Sequence, residues 1–182
     1  MTKYIALLRG INVSGQKFIR MADLVGHLSP FGYSDVQTYL QSGNLLFSAG
    51  KSTVSTLAAE ISAGIAQEYG FDVKVIVLTA TDLDRIVQSN PFSSSLQGDD
   101  KLFHATFFFE PVSVAAFQKL TLPVRAEERA VLCGQVVMLY CPEGYGKTKL
   151  TNNYFEKALG VTATTRNWRT LLALQKLSGG SA

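Results

Sequence analysis

The chain has 182 residues, of which 47% are hydrophobic and 17% are charged, with a formal net charge of +3. This composition allows a substantial core, as one compact body or two small ones, which argues against intrinsic disorder. No run approaches the roughly 18 to 20 apolar residues that cross a bilayer, since Arg9 interrupts the first apolar stretch. These features predict a soluble cytoplasmic protein.

The two cysteines, Cys133 and Cys141, lie before and after a predicted strand at 136–140. A strand that rises about 3.3 Å per residue holds them too far apart for a disulfide, so we expect free thiols in a reducing compartment. With two histidines and no paired-cysteine motif, no metal site is predicted. The mild positive charge permits an anionic ligand, but no basic run or basic helix face indicates nucleic acid.

In chain order, the first half predicts a strand at 4–8, a helix that opens near Met21, and strands at 36–40 and 45–47 about the turn Ser42-Gly43. A helix at 55–69, a strand at 73–78 and a trailing helix at 82–88 follow. Apolar residues recur at about 3.6-residue spacing through the 55–69 segment. Gly70 stands where a glycine that ends a helix belongs.

The same order returns from residue 103: a strand at 103–109, a helix at 113–120, a hairpin at 130–140, a helix at 149–159, a strand at 161–165 and a helix at 167–177. Thr148 or Thr151 is a candidate cap for the 149–159 helix, and Asn167 for the last one. The repeated β-α-β-β-α-β order predicts an α+β fold of two tandem ferredoxin-like units, each with a trailing helix. We place the first half at 1–92, a linker at 93–100 and the second half at 101–182. Several strands are near-continuous apolar runs, so we expect the halves to pack closely.

Five short strings are unusual for plain turns: RGINV at 9–13, YLQSGN at 39–44, NPF at 90–92, GYGKTKL at 144–150 and TRNW at 165–168. Together, and in this order over nearly the whole chain, they resemble a family of bacterial proteins known as domain-of-unknown-function family 1697. The chain departs from it at Ser14-Gly15, where the family tends to carry two glycines. The resemblance implies a duplicated α/β fold in a bacterial cytoplasm. It brings no activity and no catalytic residues.

Topology predicts two polar clusters. In the first half, two parallel strands deliver their following loops to one end of the sheet, which should bring together Arg9, Asn12, Gln41, Ser42 and Asn44. In the second half the same logic should bring together Lys147, Lys149, Arg166 and Asn167. If the halves pack about an approximate two-fold axis, the clusters face each other across a cleft. Arginine forks, lysine charge and backbone N–H groups there suit a phosphate or a carboxylate. We therefore expect a small anionic ligand to be bound or sensed in this cleft.

The alternatives differ in class. The glycines and asparagines of these strings can instead serve only as turn and capping residues. The GKT at 146–148 lacks the first glycine of a P-loop, because Cys141 stands there. RNA binding is a second possibility for this fold class, and an exposed row of Tyr39, Phe107 and Phe109 would favour it.

An enzyme is the third possibility, but no general base can be named from the sequence. His27 has no partner at useful spacing, and His104 is expected to be a satisfied buried histidine. The aspartates at 82, 84, 99 and 100 are interpreted as solvated charges rather than as a cation site. The sequence indicates neither a cofactor nor an oligomeric state.

Overall fold

The structure is a computed structural model that describes residues 1–13, 15, 17–93, 99–125 and 127–179. The chain divides into two compact units. Unit 1 comprises Met1–Asp84 with Leu174–Ala182, and unit 2 comprises Arg85–Ala173. The division falls inside two helices. The linker at 93–100 stays a prediction. Residues 94–98 of that linker lie outside the described ranges.

Unit 1 contains β1 (Thr2–Leu8), α1 (Met21–His27), β2 (Ser34–Thr38), β3 (Asn44–Ala49), α2 (Val54–Tyr69) and β4 (Val75–Thr79). The helix α3 (Ala80–Gln88) begins in this unit. The strands form one sheet in the order β2-β3-β1-β4, and each neighbouring pair is antiparallel. Hence β1 and β2 are parallel with β3 between them, as the split β-α-β order predicts.

Unit 2 repeats the pattern with β5 (Phe103–Phe108), α4 (Val114–Gln118), β6 (Arg129–Cys133), β7 (Val136–Tyr140), α5 (Asn152–Leu159) and β8 (Ala163–Asn167). Its sheet has the order β6-β7-β5-β8, again with antiparallel neighbours. The helix α6 (Trp168–Ser178) begins in unit 2, and its residues from Leu174 onward belong to unit 1. The prediction of two tandem ferredoxin-like units is confirmed. The close packing of the halves stays a prediction.

One face of each sheet carries the unit's main apolar core. In unit 1, Tyr4, Ala6 and Leu8 of β1 share a buried cluster with Leu57 and Ile61 of α2. Their spacing of two along the strand and four along the helix places each set on one face. In unit 2 the corresponding cluster includes Phe108, Val137, Leu139 and Phe155. This burial is the main driving force for each fold.

The predicted helix caps are present. Gly70 ends α2 in the left-handed conformation, with φ of 74°. The hydroxyl of Thr151 accepts a hydrogen bond from the N–H of Tyr154 and so caps α5. Asn167 Oδ1 accepts from the N–H of Arg169 at 3.0 Å, as a side chain that caps α6 does.

Cys133 and Cys141 are free thiols, as predicted. Burial raises the pKa of Cys141 to about 11, so this thiol is poorly reactive near neutral pH. None of the helices within the described ranges is both long and apolar enough to cross a membrane.

Candidate functional site

The two loops at one end of the unit 1 sheet meet, and we call them together the unit 1 rim: the described residues of 9–20, and 39–44. The hydrogen bond that Asn12 Nδ2 donates to Gln41 O, at 2.7 Å, joins the two loops. The hydrogen bond that Leu8 N donates to Gly43 O, at 2.8 Å, holds the second loop against the end of β1. The predicted meeting of these segments is therefore observed, because β1 and β2 are parallel and end at the same edge.

Asn12 is the residue that shapes the longer loop. Its Oδ1 accepts from the N–H of Ile19, and its Nδ2 donates to the carbonyls of both Ile19 and Gln41. The backbone N–H of Asn12 also donates to the carbonyl of Lys17. With its amide committed in this way, Asn12 supports the rim and leaves the ligand chemistry to its neighbours.

Asn44 has a similar supporting role. It is completely buried, and its Nδ2 donates to the Tyr39 carbonyl at 2.8 Å and to Ser42 Oγ at 3.1 Å. A buried amide with such partners holds the turn in place. The interpretation of the asparagines as turn residues therefore describes both Asn12 and Asn44.

Backbone strain is concentrated in the rim. Four non-glycine residues of the described chain have positive φ, and three of them lie here: Asn12 at 55°, Lys17 at 48° and Leu40 at 59°. Leucine and lysine rarely adopt this conformation, which costs roughly 1–2 kcal/mol per residue. Strain of this kind is retained where the surroundings impose it, often at functional sites.

The rim also exposes large apolar side chains together with positive charge. Val13, Phe18 and Leu40 are 59%, 69% and 56% exposed. An open depression of 410 Å³ is lined by Phe18 and Arg20 together with Asn12, Gly15 and Gln41. Sequence reasoning missed Phe18 and Arg20, although they flank Ile19, whose burial turns both neighbours outward.

Two cations of the rim are weakly engaged. Arg20 Nη1 lies 3.7 Å from Asp23 Oδ2, and both side chains are at least half exposed. Such an exposed pair contributes little and exchanges readily for another anion. Lys17 Nζ donates to the backbone carbonyl of Asp72 at 2.6 Å. That contact fixes the ammonium without neutralising its charge.

The second predicted cluster assembles only in part. Tyr145, from the loop before Lys147, stacks on His104 with ring centroids 4.6 Å apart, and His104 Nε2 lies 3.2 Å from Asn167 Nδ2. The end of β8 and the 144–149 loop therefore meet through His104. Lys147 and Lys149 are exposed.

Arg166 points away from this group. His104 pairs with Asn167 and Ala105 pairs with Arg166, and successive side chains of a strand point to opposite faces. Asn167 therefore shares a face with His104, and Arg166 lies on the other face. The expected grouping of Arg166 with Asn167 is corrected accordingly. It fails because β8 continues to residue 167, two residues beyond the predicted strand end.

Arg166 is buried, and its Nη1 donates to Thr164 Oγ1 at 2.8 Å and to the Thr165 carbonyl at 3.0 Å. Burial lowers its pKa to about 10, so the side chain stays charged at neutral pH. Arg166 is therefore a buried structural side chain and is not accessible to an anionic ligand.

Substitution of Arg166 should therefore change stability. We expect Arg166→Ala to lower the free energy of unfolding by about 2 kcal/mol, because it leaves a cavity and unpaired acceptors. Arg166→Met fills most of the space without a buried charge, so its loss should be about half as large. Urea unfolding of the two variants measures the difference. Wild-type stability in Arg166→Ala would contradict this interpretation.

His104 is only partly satisfied. Asn167 Nδ2 donates to its Nε2, so the ring proton is assigned to Nδ1, and Nδ1 has no hydrogen-bond partner within the described residues. The expectation of a satisfied histidine is thus correct for one ring nitrogen and wrong for the other. Burial lowers the pKa of His104 to about 4.

The exposed aromatic row that would favour RNA binding is not formed. Phe107 is 2% exposed, and Tyr39 and Phe109 are half-buried. These three side chains therefore offer no open stacking surface to single-stranded bases.

Comparison with known proteins adds the fold and the family. The conserved bacterial protein SP0830 from Streptococcus pneumoniae has a similar structure, with a TM-score of 0.75 and 24% identity over 97% of this chain and 98% of that one. No curated protein matches the chain. The model of a family described as "Protein of unknown function (DUF1697)" matches residues 1–138. Because this match spans most of the sequence, the chain belongs to the DUF1697 family.

Proposed function

We propose that the unit 1 rim binds a small molecule that carries an anionic group and an apolar portion. The observation that carries the proposal is the depression that is lined by both Arg20, a cation, and Phe18, whose ring is exposed. Its volume of 410 Å³ lies within the range of small-molecule sites. The earlier prediction that both polar clusters share one site stays a prediction.

Charge supports an anion. Arg9, Lys17 and Arg20 belong to the rim, and the rim contains no aspartate or glutamate. An anionic ligand that binds Arg20 would displace Asp23 from it, and the loss of this exposed ion pair costs little, because such pairs contribute at most about 1 kcal/mol. The ligand would then pair with a guanidinium whose planar donors match a phosphate or carboxylate. Arg9 is half-buried and its backbone N–H donates to the Lys74 carbonyl, which anchors the start of the loop.

The exposure of Phe18 favours a ligand with an apolar portion. A charged cleft alone does not require a phenylalanine that is 69% exposed, and burial of such a ring is worth about 2 kcal/mol when a ligand covers it. Asn12 and the Gly43 contacts hold the rim in shape before the ligand arrives, which lowers the entropy lost on binding. We propose a cytoplasmic location as well, since both cysteines are free thiols.

Calorimetric titration with three matched probes tests the proposal: phenyl phosphate, inorganic phosphate and phenol. Phenyl phosphate should bind most tightly, because it alone engages both Arg20 and Phe18. Arg20→Gln and Phe18→Ser should each weaken it by about tenfold. Lys51→Gln is the matched control, because it removes one exposed positive charge outside the rim. Equal binding of phenyl phosphate by Arg20→Gln and by Lys51→Gln would overturn the proposal.

A further inference from the structure

A second depression lies on the other face of the unit 1 sheet, away from α1 and α2. It has a volume of 270 Å³, and the last turn of α6 contributes to its wall. Its principal lining side chains are Lys3, Asp35, Gln37, Leu46, Ser48 and Leu177. None of these residues belongs to the rim, so this inference is independent of the function proposed above.

Asp35 is placed in this depression by an irregularity of the edge strand. The pairing of β2 with β3 shifts register between Ser34 and Gln37, and Asp35 between them has φ of 53°. A bulge of this kind re-aims a side chain. The buried Ser48 Oγ donates to Asp35 Oδ2 at 3.0 Å, which fixes one carboxylate oxygen while the residue stays exposed.

Lys3 supplies the opposite charge. It pairs with Ser48 across β1 and β3, while Ser34 of β2 pairs with Ser48 from the other side. Lys3 and Asp35 therefore lie on two strands that flank β3, roughly two strand spacings apart. Within the described part of the chain, no carboxylate lies in ion-pair contact with Lys3. The two charges are thus held apart rather than neutralised by each other.

Apolar surface completes the depression. Leu46 of β3 forms part of the floor, and Leu177 at the end of α6 is 45% exposed beside it. The exposed amide of Gln37 can donate to an anionic group of a ligand. A simple anion would be repelled by Asp35 and a simple cation by Lys3. Both charges favour a molecule that carries one charge of each sign.

We propose that this depression binds a free α-amino acid with an aliphatic side chain. The ammonium of the amino acid pairs with Asp35, its carboxylate pairs with Lys3 and Gln37, and its side chain covers Leu46 and Leu177. The volume lies just below the usual range for drug-sized ligands, which suits a molecule of amino-acid size.

The test is titration of the whole chain with L-leucine and two analogues that each keep one charge, 3-methylbutan-1-amine and 4-methylpentanoate. L-Leucine should bind at least about tenfold more tightly than either analogue. Asp35→Asn and Lys3→Gln should each weaken L-leucine by about tenfold. Asparagine retains an acceptor for Ser48 and tolerates positive φ, so Asp35→Asn isolates the charge.

Lys51→Gln is the charge control and should leave L-leucine binding unchanged, as should the rim variant Arg20→Gln. Analogues that bind as well as L-leucine would overturn the proposal, as would undiminished binding in Asp35→Asn and Lys3→Gln. Lack of L-leucine binding at millimolar concentration would also overturn it. None of these outcomes bears on phenyl phosphate binding at the rim, because the two sites share no side chain.

Discussion

Gly43→Ala should lower the free energy of unfolding by about 4 kcal/mol, through left-handed strain and overpacking together. Gly43 has φ of 81°, and a Cβ built on it would lie 2.8 Å from Leu8 Cβ and 2.9 Å from Ile11 Cδ1. Both neighbours are buried, and Leu8 Cβ is fixed to the backbone of β1, so it cannot yield easily. Urea unfolding followed by circular dichroism measures the loss.

Gly32→Ala is the matched control. Gly32 has φ of 72°, but nothing lies within 4 Å of a Cβ built on it. The alanine there should cost only the conformational strain, about 1 kcal/mol. Equal losses in the two variants would show that the close approach at Gly43 contributes nothing. The rim would then lack the packing that holds its two loops together.

The close approach also predicts a functional consequence. Gly43 accepts the hydrogen bond from Leu8 N that holds the 39–44 loop against the end of β1, so displacement of its backbone should disorganise the depression lined by Phe18 and Arg20. Under conditions in which Gly43→Ala remains folded, it should bind phenyl phosphate more weakly than Gly32→Ala does. The proposed function therefore predicts that stability and ligand binding are coupled at this position.

The topology was predictable because it depends on order and connection rather than on exact boundaries. A crossover helix makes two strands parallel and a tight turn makes two antiparallel, so the β-α-β-β order determines which loops share a sheet edge. That reasoning correctly brought the loops at Arg9 and Gln41 together. It needed no knowledge of any side-chain contact.

The face of the sheet on which a side chain lies, in contrast, depends on strand boundaries to within one residue. The prediction ended the last strand at residue 165, whereas β8 continues to Asn167. In an extended segment Arg166 and Asn167 cannot point the same way, so the predicted cluster divides between two faces. Hydrophobic patterning could not reveal this, because TTRN at 164–167 contains no apolar residue to mark a face.

Left-handed residues were equally hidden from sequence reasoning. Glycine signals positive φ, but Lys17, Asp35 and Leu40 adopt it without that signal. Lys17 and Leu40 shape the rim, and Asp35 creates the bulge that places a carboxylate in the second depression. Because tertiary contacts impose these conformations, local propensity could not indicate either depression.

Acidification should destabilise the protein through His104 by about 3 kcal/mol, since each pKa unit is worth about 1.4 kcal/mol. The pKa of His104 is about 4 in the folded protein and 6.5 in the ordinary, solvated state. Between these values the unfolded chain takes up a proton that the folded chain does not, so stability falls as the pH falls from 6.5. The decline due to His104 ends near pH 4, where the folded form is protonated too.

Two variants that cannot titrate separate this proton from packing effects. His104→Gln retains an acceptor for Asn167, whereas His104→Phe retains a ring to stack on Tyr145. The two variants need not be equally stable at pH 7. Between pH 6.5 and pH 4, however, each should lose about 3 kcal/mol less of its free energy of unfolding than the wild type loses. Urea unfolding at a series of pH values gives the difference curves. Curves parallel to the wild type would show that His104 remains unperturbed and that its burial carries no penalty for the charged form.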